Sequence, residues 1–366
     1  MIADPRHVNY LCNFWIEPLS FSGGERGLLL LKRDGEATLL ADNFAFRSAA
    51  CQPYVDREIN RTWYDHRHSV MNRDHALLLA IRDLAGELEF AQGLVEAEWL
   101  PMGAGTVLPA GSYSYAALEE ANQPAVSDLG TILRTLRRSK DPDEVHVLKA
   151  CMRACESGQA QLFEIIQPGN TELEIYLEVQ KAALTAAQRP ALVYGDFRAV
   201  NAEEPKAGGL PREGGRKLNN GDLFILDYSV VLDGYRSDFT NTVSVGKPTA
   251  EVVALHEICL AGMAAGEKSL KAGAKACVVH AAVMEPYLQA GRAENFTHHA
   301  GHGIGLAHPE APILVPESTD ILLAGDVVTL EPGAYVKGIG GMRIEHNYLV
   351  TETGYERLSN HDIRLT

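Results

Sequence analysis

The chain has 366 residues, which is more than one hydrophobic core normally holds, so two domains are expected. Its apolar fraction of 46% and charged fraction of 22% are ordinary for a globular protein, and no run of roughly eighteen apolar residues indicates a membrane span. The net charge of −15 argues against a nucleic-acid partner, because phosphate binding needs a basic surface. The chain shows no signal peptide, and its six scattered cysteines include no C-x-x-C pair, so a cytoplasmic protein with reduced thiols is expected.

The N-terminal third alternates short apolar runs with turns. Residues 27–31 and 38–41 flank Arg33-Asp34-Gly35, a pattern that predicts a β-hairpin. Helical periodicity follows over residues 75–88, and strand-like, turn-rich sequence continues to about residue 127. We interpret residues 1–138 as a smaller α/β domain, in which no cluster of side chains indicates chemistry.

Residues 139–366 are predicted to form a second domain. Asp141 and Glu144 make a capping box, which opens a long helix to about residue 166. Thr171 and Glu174 make another, which opens a helix to about residue 188. A polar stretch rich in glycine and proline then leads into the first of two acid-bearing strands.

The second half of this domain repeats the plan of the first half. A helix is predicted from Thr249 to about residues 271–273, and another helix ends near residue 289. Equivalent positions in the two halves keep a constant spacing of 104 residues: Gly169 and Gly273, Gly221 and Gly325, Asp227 and Glu331. This self-similarity predicts two helix–helix–hairpin units related by a pseudo-twofold axis.

Each half carries two acids on a predicted hairpin. Asp233-Gly234 is a turn signal, and pairing about it places Thr240 opposite Asp227, with Asp238 diagonally beside them on the same face. The second hairpin, turning at residues 338–341, delivers two more acids, Glu331 and Glu345, in the same way. Carboxylates aimed into a core need a partner, and a metal ion fits between such neighbours.

A glycine-rich loop adds one nitrogen ligand. His302 lies in Gly301-His302-Gly303-Ile304-Gly305, where the glycines allow a close approach of the backbone. One imidazole with four carboxylates is an oxygen-rich donor set. It favours two divalent ions of manganese, cobalt or iron, with zinc as a further candidate. The combination indicates a hydrolase.

These segments resemble the pita-bread metallopeptidases, a group that includes methionine aminopeptidase, aminopeptidase P, prolidase and the metal-free creatinase. The resemblance covers residues 141–366 and is carried by Ile225-Leu226-Asp227-Tyr228, Gly234-Tyr235-Arg236-Ser237-Asp238-Phe239-Thr240, Gly301-His302-Gly303-Ile304-Gly305-Leu306, Thr329-Leu330-Glu331-Pro332-Gly333 and Gly341-Met342-Arg343-Ile344-Glu345. It implies an α+β fold, with a pita-bread catalytic domain behind a smaller domain. By resemblance, the five metal ligands are Asp227, Asp238, His302, Glu331 and Glu345, and the second and last of these bridge the ions.

The N-terminal segment is similar to the creatinase-type domain of prolidases and aminopeptidases P, which methionine aminopeptidases lack. The similarity is carried by Asp4-Pro5-Arg6-His7-Val8-Asn9-Tyr10-Leu11, which contains the segment Asn9-Tyr10-Leu11. Relatives have a helix and a strand before this segment, whereas the chain begins almost at it. A truncated domain, a shortened clone and a misplaced start codon all remain open. The resemblance also implies a homodimer.

The implied activity is hydrolysis of Xaa-Pro bonds, by a dipeptidase or an aminopeptidase acting on small peptides. A hydroxide formed from a water shared by two metal ions would attack the amide carbonyl. Glu331 is the candidate to take up and return the proton, and His308 or His298 the candidate donor to the oxyanion.

Three further residues are expected around the ligands. Arg343 is expected to orient Asp238 or Glu345, to meet a substrate carboxylate, or to form a structural ion pair. Tyr235 and Thr240 are expected to hydrogen-bond to the ligands.

The substrate-facing positions depart from the prolidase pattern. No histidine occurs between His146 and His256, where prolidases carry one before the first acid strand. Pro309 stands where relatives have a histidine, with His308 one place early, whereas His298 matches the usual pattern. Residues 240–242 read Thr-Asn-Thr in place of Thr-Arg-Thr. Two alternatives therefore stay open: a metal-dependent hydrolase of a non-peptide small molecule, and a non-catalytic binding protein that has kept the fold.

Overall fold

The computed structural model describes residues 1–16, 25–70, 72–87, 95–96, 99–101, 103–104 and 129–366. The chain divides into two compact units, Met1–Arg137 and Arg138–Thr366. The sequence predicts the division one residue later, between residues 138 and 139. Within the described ranges, no helix combines the length and the apolar character that crossing a membrane requires.

Among its described residues, the first unit contains a three-stranded sheet and helices. Its elements are α1 (Pro5–Cys12), β1 (Leu28–Leu31), β2 (Ala37–Asp42), α2 (Asn43–Ser48), β3 (Arg57–Arg61), α3 (Arg73–Glu87) and α4 (Leu129–Leu136). β1 and β2 pair antiparallel around Gly35, whose φ of 97° suits glycine, so the predicted hairpin is confirmed. β3 pairs parallel with β2, and α3, the helix predicted for residues 75–88, packs Leu77 and Ile81 into the core. Most of the strand-like sequence predicted up to residue 127 lies outside the described residues.

The second unit contains four helices and eleven strands among its described residues. Its helices are α5 (Pro142–Ile165), α6 (Glu172–Ala187), α7 (Ala250–Glu267) and α8 (Ala276–Gln289), with a 3-10 turn at Ala293–Asn295. Its strands are β4 (Leu192–Val200), β5 (Leu223–Leu232), β6 (Tyr235–Arg236), β7 (Phe239–Ser244), β8 (His302–Gly303), β9 (Glu310–Ile313), β10 (Val327–Leu330), β11 (Gly333–Val336), β12 (Gly340–Arg343), β13 (His346–Val350) and β14 (Tyr355–Arg357). The predicted capping boxes of α5 and α6 are both present.

Two sheets and a hairpin hold the acids. β5 pairs antiparallel with β4 on one side and with β7 and β6 on the other. The second sheet has the order β14-β13-β10-β8-β9, and β11 pairs with β12 in a separate hairpin. The link between β11 and β12 spans residues 337–339, so the turn predicted at residues 338–341 is confirmed in place, although Gly340 and Gly341 already belong to β12.

The predicted repeat is visible in the backbone hydrogen bonds. Isolated bridges join Thr171 to Lys217 in the first half and Lys275 to Ile321 in the second half, at the same spacing of 104 residues. The N–H groups of Gly169 and Gly273 donate to the equivalent carbonyls of Leu218 and Leu322, at 2.9 and 2.8 Å. The two halves thus share their local geometry as well as their order of elements, as a pseudo-twofold unit requires.

One predicted boundary is wrong. α7 ends at Glu267, before the predicted end at residues 271–273. Beyond it the chain closes two turns, in which Ser269 and Leu270 donate to Gly266 and Glu267. These turns bury Leu270, which is only 2% exposed, so the stop is set by packing before Gly273 is reached.

The alternation of side chains along β5 decides where the acids point. Phe224, Leu226, Tyr228 and Val230 belong to the cluster that packs under α5 and α6. Asp227 has the opposite parity and projects from the other face of the sheet. The helices therefore anchor one face of the strand, while the other face is left for the carboxylates.

Candidate metal centre

The first hairpin places its two acids as the register predicts. Asp227 pairs with Thr240 across β5 and β7, and Asp238 lies just before β7. Asp233 and Gly234 have φ values of 50° and 82°, as a type I′ turn requires at both central positions. Asp238 is 5% exposed. A short turn and a period of two thus bring both carboxylates to one face.

The second hairpin delivers the other two acids side by side. Glu331 follows β10 and Glu345 precedes β13, and these strands pair in a register that continues from Leu330 opposite His346. The N–H of Glu345 donates to the carbonyl of Thr240 at 2.9 Å, and this hydrogen bond links the two hairpins. The hydroxyl of Thr240 also donates to Glu345 Oε2 at 2.6 Å. The structure therefore places Thr240 as a hydrogen-bond partner of a predicted ligand.

His302 is oriented by its own loop. Its Nδ1 donates to the carbonyl of Gly303 at 2.9 Å, which leaves Nε2 facing Asp238 Oδ2 at 3.2 Å and Glu331 Oε1 at 3.4 Å. A bond of this kind fixes the tautomer that presents Nε2 to a metal. Gly301 permits the approach, because a Cβ there would lie 2.0 Å from the carbonyl oxygen of Thr329.

Three groups of donor atoms lie in this region, and two of them share Asp238. In each group, one donor atom per residue lies within 4.8 Å of the others. The groups are Asp227 with Asp238 and Glu345, Asp238 with His302 and His308, and Glu331 with His298 and His299. All five predicted ligands belong to this connected set, since Glu331 also contacts His302. The donor set is rich in carboxylate oxygen and has enough imidazole nitrogen for a transition metal.

The carboxylates of the cluster repel one another, and bound cations would neutralise them. Burial raises the pKa of Glu345 well above its ordinary value, and the charges of Asp238, Glu331 and Asp227 raise it further. Its Oε1 is buried without a hydrogen-bond partner. Burial also raises the pKa of Asp227 to about 6, while Arg343 limits the rise. Buried carboxylates repel one another, and a buried oxygen without a hydrogen-bond partner is costly. Divalent cations bound among them would relieve both effects, so these residues fit a metal centre.

Histidines counter part of this charge. Burial disfavours the charged form of Asp238, but His308 and His302 hold its pKa well below the ordinary value. Burial likewise opposes ionisation of Glu331, whose pKa is lowered by His299 and His302. The pKa of His302 rises to about 9, because its contacts with Asp238 and Glu331 outweigh its burial.

Arg343 meets a ligand that was not expected as its partner. It forms an ion pair with Asp227, and its Nη2 lies 3.3 Å from Asp196 Oδ2. Its Nη1 donates to the hydroxyl of Tyr335 at 2.7 Å. Of the expected roles, the ion pair within the ligand set is the one seen in the structure, although its partner is neither Asp238 nor Glu345.

Two histidines of the substrate side differ in their contacts. His308 Nε2 lies 2.5 Å from Asp238 Oδ2, and its ring centroid is 4.6 Å from that of His302. His298 donates from Nδ1 to the carbonyl of His299 at 2.8 Å, and burial lowers its pKa to about 4. A neutral ring that donates from Nδ1 has only a lone pair at Nε2. His308 therefore reaches the predicted ligands directly, whereas His298 borders them.

Two site residues were missed in the sequence. Asp196 pairs with Asp227 across β4 and β5, and β4 itself was not predicted. His299 Nδ1 lies 3.1 Å from Glu331 Oε1, and its place beside His298 in the loop before His302 was the signal for it. Tyr235, expected beside the ligands, instead donates its hydroxyl hydrogen to Glu144 of α5 at 2.9 Å.

A family comparison agrees with this geometry. The model of metallopeptidase family M24 matches residues 146–352, which is more than half of the chain. A probable dipeptidase PepE of Mycobacterium tuberculosis is 31% identical over 230 residues, which are 63% of this chain and 60% of that protein. The chain thus matches about three fifths of that relative's length. An Xaa-Pro dipeptidase of Pyrococcus furiosus is 29% identical over 257 residues, covering 68% of this chain and 72% of the relative.

Solved structures show the same architecture over the whole chain. The prolidase of Pyrococcus horikoshii superposes with a TM-score of 0.74 at 22% identity, and the match covers 100% of this chain and 94% of the prolidase. At this identity the likeness speaks for the fold, a pita-bread unit preceded by a smaller domain. The family match and the converging donor atoms agree with this fold. The chain belongs to metallopeptidase family M24.

Proposed function

We propose that the protein hydrolyses Xaa-Pro bonds in small peptides, as a dipeptidase or an aminopeptidase that uses two divalent metal ions. The observation that carries the proposal is the convergence of four carboxylates and His302 in one buried cluster of an M24 chain. Relatives named Xaa-Pro dipeptidase, at 29% and 30% identity over 68% of the chain, support the substrate class.

In this proposal, Asp227, Asp238, His302, Glu331 and Glu345 hold the metal ions. When bound, two divalent ions lower the pKa of a water molecule and polarise the scissile carbonyl. Manganese, cobalt or iron suits the oxygen-rich set, with zinc as a further candidate. A homodimer is also part of the proposal; metal analysis and sedimentation test these two points.

Glu331 is proposed to take up the proton of the attacking water and return it to the leaving amine. Its carboxylate stays ionised, because His299 and His302 lower its pKa against the effect of burial. His299 Nδ1 lies 3.1 Å from Glu331 Oε1, and the His299 side chain is 36% exposed. An imidazole at this distance can relay the proton between Glu331 and solvent.

His308 is the better candidate for the donor to the oxyanion. The imidazole of His308 contacts the predicted ligand Asp238. The Nδ1–H of His298 donates to the carbonyl of His299, so that its Nε2 carries only a lone pair. A donor must point at the oxygen that becomes negative, and only an N–H can do so. His298 is then proposed to accept a hydrogen bond, with the hydroxyl of Tyr335 already 3.5 Å from its Nε2.

The test is cleavage of Ala-Pro, Gly-Pro and Ala-Pro-Ala by the full chain loaded with manganese or cobalt. Ala-Ala serves as the control substrate, and chelated protein and an Asp238→Asn variant serve as control enzymes. Proline-dependent turnover that chelation and the variant abolish supports the proposal, and the ratio of dipeptide to tripeptide rates separates the two activities. A metal-replete protein that cleaves none of the peptides refutes it and favours the small-molecule hydrolase suggested by the altered substrate-side residues.

A further inference from the structure

Arg236 is a mostly buried arginine on the sheet that carries Asp227, and no carboxylate pairs with it in the part of the chain that the structure describes. Four other mostly buried arginines of this unit have acidic partners: Arg138 with Asp326, Arg198 with Glu172, Arg216 with Asp222 and Arg343 with Asp227. The Nε of Arg236 is buried and has no hydrogen-bond partner. A buried guanidinium without an anion is costly, so its retention needs a reason.

The sheet places this guanidinium beside the metal centre. Arg236 pairs with Val231 across β5 and β6, and its Nη2 donates to Ser229 Oγ at 2.9 Å. The same register continues to Asp227 opposite Thr240, so Ser229 lies opposite Asp238. Side chains directly opposite on an antiparallel pair are about 5 Å apart at Cβ. The side chain of Arg236 thus runs along β5 toward the carboxylates on the metal-binding face.

Neighbouring groups hold the guanidinium in one orientation. Its central carbon lies 4.6 Å from the centroid of the Tyr194 ring on β4. The backbone N–H of Arg236 donates to the carbonyl of Gly305 at 3.0 Å, which ties the residue to the loop that carries His302. A guanidinium stacked on an aromatic face keeps its in-plane N–H groups directed outward, and this is the geometry that binds carboxylates.

The charge balance shows which partner is missing. Four ligand carboxylates and two divalent cations cancel, and Arg343 retains Asp196 beside it. Lys140, a further buried cation of this region, is paired with Glu310. With two divalent ions and a neutral water bound, the ligands would no longer offset the charge of Arg236. An anion supplied by the substrate would restore the balance.

We propose that Arg236 is a substrate-binding residue that recognises a carboxylate of the substrate next to the scissile bond. The inference rests on the proposed peptidase function and adds the charge of the substrate to it. Two parts of a small peptide can supply this carboxylate: the C-terminus of a dipeptide, and an acidic side chain at the residue before proline. Both lie within about two residues of the reacting carbonyl, a reach of roughly 7 Å.

Four substrates separate the two sources. Ala-Pro and Ala-prolinamide differ only in the C-terminal charge, and Glu-prolinamide and Gln-prolinamide differ only in the side-chain charge. For each, kcat/KM is measured with metal-loaded wild type, Arg236→Gln and Arg236→Lys. Loss of a charge-assisted hydrogen bond predicts that Arg236→Gln lowers kcat/KM about 10- to 100-fold for the charged member of one pair and leaves its neutral partner within a factor of about three. The lysine variant should recover part of the loss.

Lys206→Gln is the matched control. This exposed cation lies 2.9 Å from Thr297 and 5.1 Å above the ring of Tyr335, so it is the rival candidate for the same carboxylate. Charge discrimination that disappears in Lys206→Gln and persists in Arg236→Gln overturns the proposal. An equal loss on charged and neutral substrates in Arg236→Gln also overturns it, because the residue would then only support the ligands; the metal content of each variant is measured alongside.

Failure of the peptidase assignment is recognised separately. If wild type cleaves none of the four compounds, the proposed function is refuted, and binding of the same compounds is measured calorimetrically. Weaker binding of one charged compound to Arg236→Gln, at least tenfold and without change for its neutral partner, still supports a carboxylate site. Equal binding to wild type and variant, or no binding to either, overturns it.

Discussion

Replacing Asp227 by asparagine tests whether the carboxylate cluster is a metal site that is strained without metal. In the metal-free protein, burial raises the pKa of this group from 3.8 to about 6, Arg343 limits the rise and the charge of Asp238 adds to it. One unit of pKa is worth about 1.4 kcal/mol, so the ionised carboxylate costs the folded state about 3 kcal/mol. The asparagine removes that charge and keeps the shape of the side chain.

The sign of the effect depends on pH. Because the folded-state pKa is higher than the unfolded-state value, the stabilising contribution of this group is present below pH 3.8 and is lost as the pH rises to about 6. Without metal, Asp227→Asn should match wild type near pH 4 and exceed it by about 3 kcal/mol at pH 7.5. For a unit of this size, that corresponds to a melting temperature higher by roughly 6–12 °C. With manganese added the order should reverse, because only wild type gains the binding free energy.

The assay is urea unfolding at pH 4.5, 6 and 7.5, in chelator and in manganese. Glu352→Gln, a change at an exposed position, controls for the general effect of lowering the net charge of −15. If the metal-free variant is no more stable than wild type at pH 7.5, or if the difference does not change with pH, Asp227 is not held in a repulsive buried cluster. If manganese stabilises both proteins equally, the residue is not a ligand.

Three further predictions concern metal affinity, stability and thiol reactivity. Gly301→Ala should lower metal affinity at least tenfold in a metal titration, since its Cβ would lie 2.0 Å from the carbonyl oxygen of Thr329, whereas Gly354→Ala, in open space, should not. Lys140→Met should destabilise the protein by about 3–5 kcal/mol in urea unfolding, because it removes the cation from a buried ion pair with Glu310 whose side chains are 2% and 8% exposed. The exposed pair of Lys149 and Glu356 should contribute at most about 1 kcal/mol in the same assay, as measured with Lys149→Met. In the native protein at pH 8, peptide mapping after alkylation should find Cys51 and Cys277 modified and four buried thiols protected, because burial raises the pKa of each: Cys12, Cys151, Cys155 and Cys259.

The parts of the site that could be predicted depend on short-range rules. Asp233-Gly234 determines the turn, and a period of two then determines that Asp227 and Asp238 share a face with Thr240. All three positions lie within 14 residues of one another, so an error of register has little room to accumulate. The constant spacing of 104 residues transfers the same reasoning to Glu331 in the second half.

The parts that could not be predicted are interactions between distant segments. Asp196 reaches the centre only because β4 pairs with β5, and the 22 residues between these strands contain no turn signal that fixes their register. The partner of Arg343 depends on how the two hairpins face each other, which neither hairpin specifies alone. Among the described residues no acid pairs with Arg236. This also depends on contacts between distant segments, so the local sequence does not reveal it.

The loop after His302 shows why spacing fails outside regular structure. In a strand, a shift of one residue turns a side chain to the opposite face, so Pro309 in the place of a histidine would remove the imidazole from the site. In a loop no such parity holds, because successive residues have unrelated backbone angles. His308, one place early, still brings Nε2 to 2.5 Å from Asp238 Oδ2. An imidazole therefore lies at the carboxylates even though Pro309 occupies the position where the sequence pattern expects a histidine.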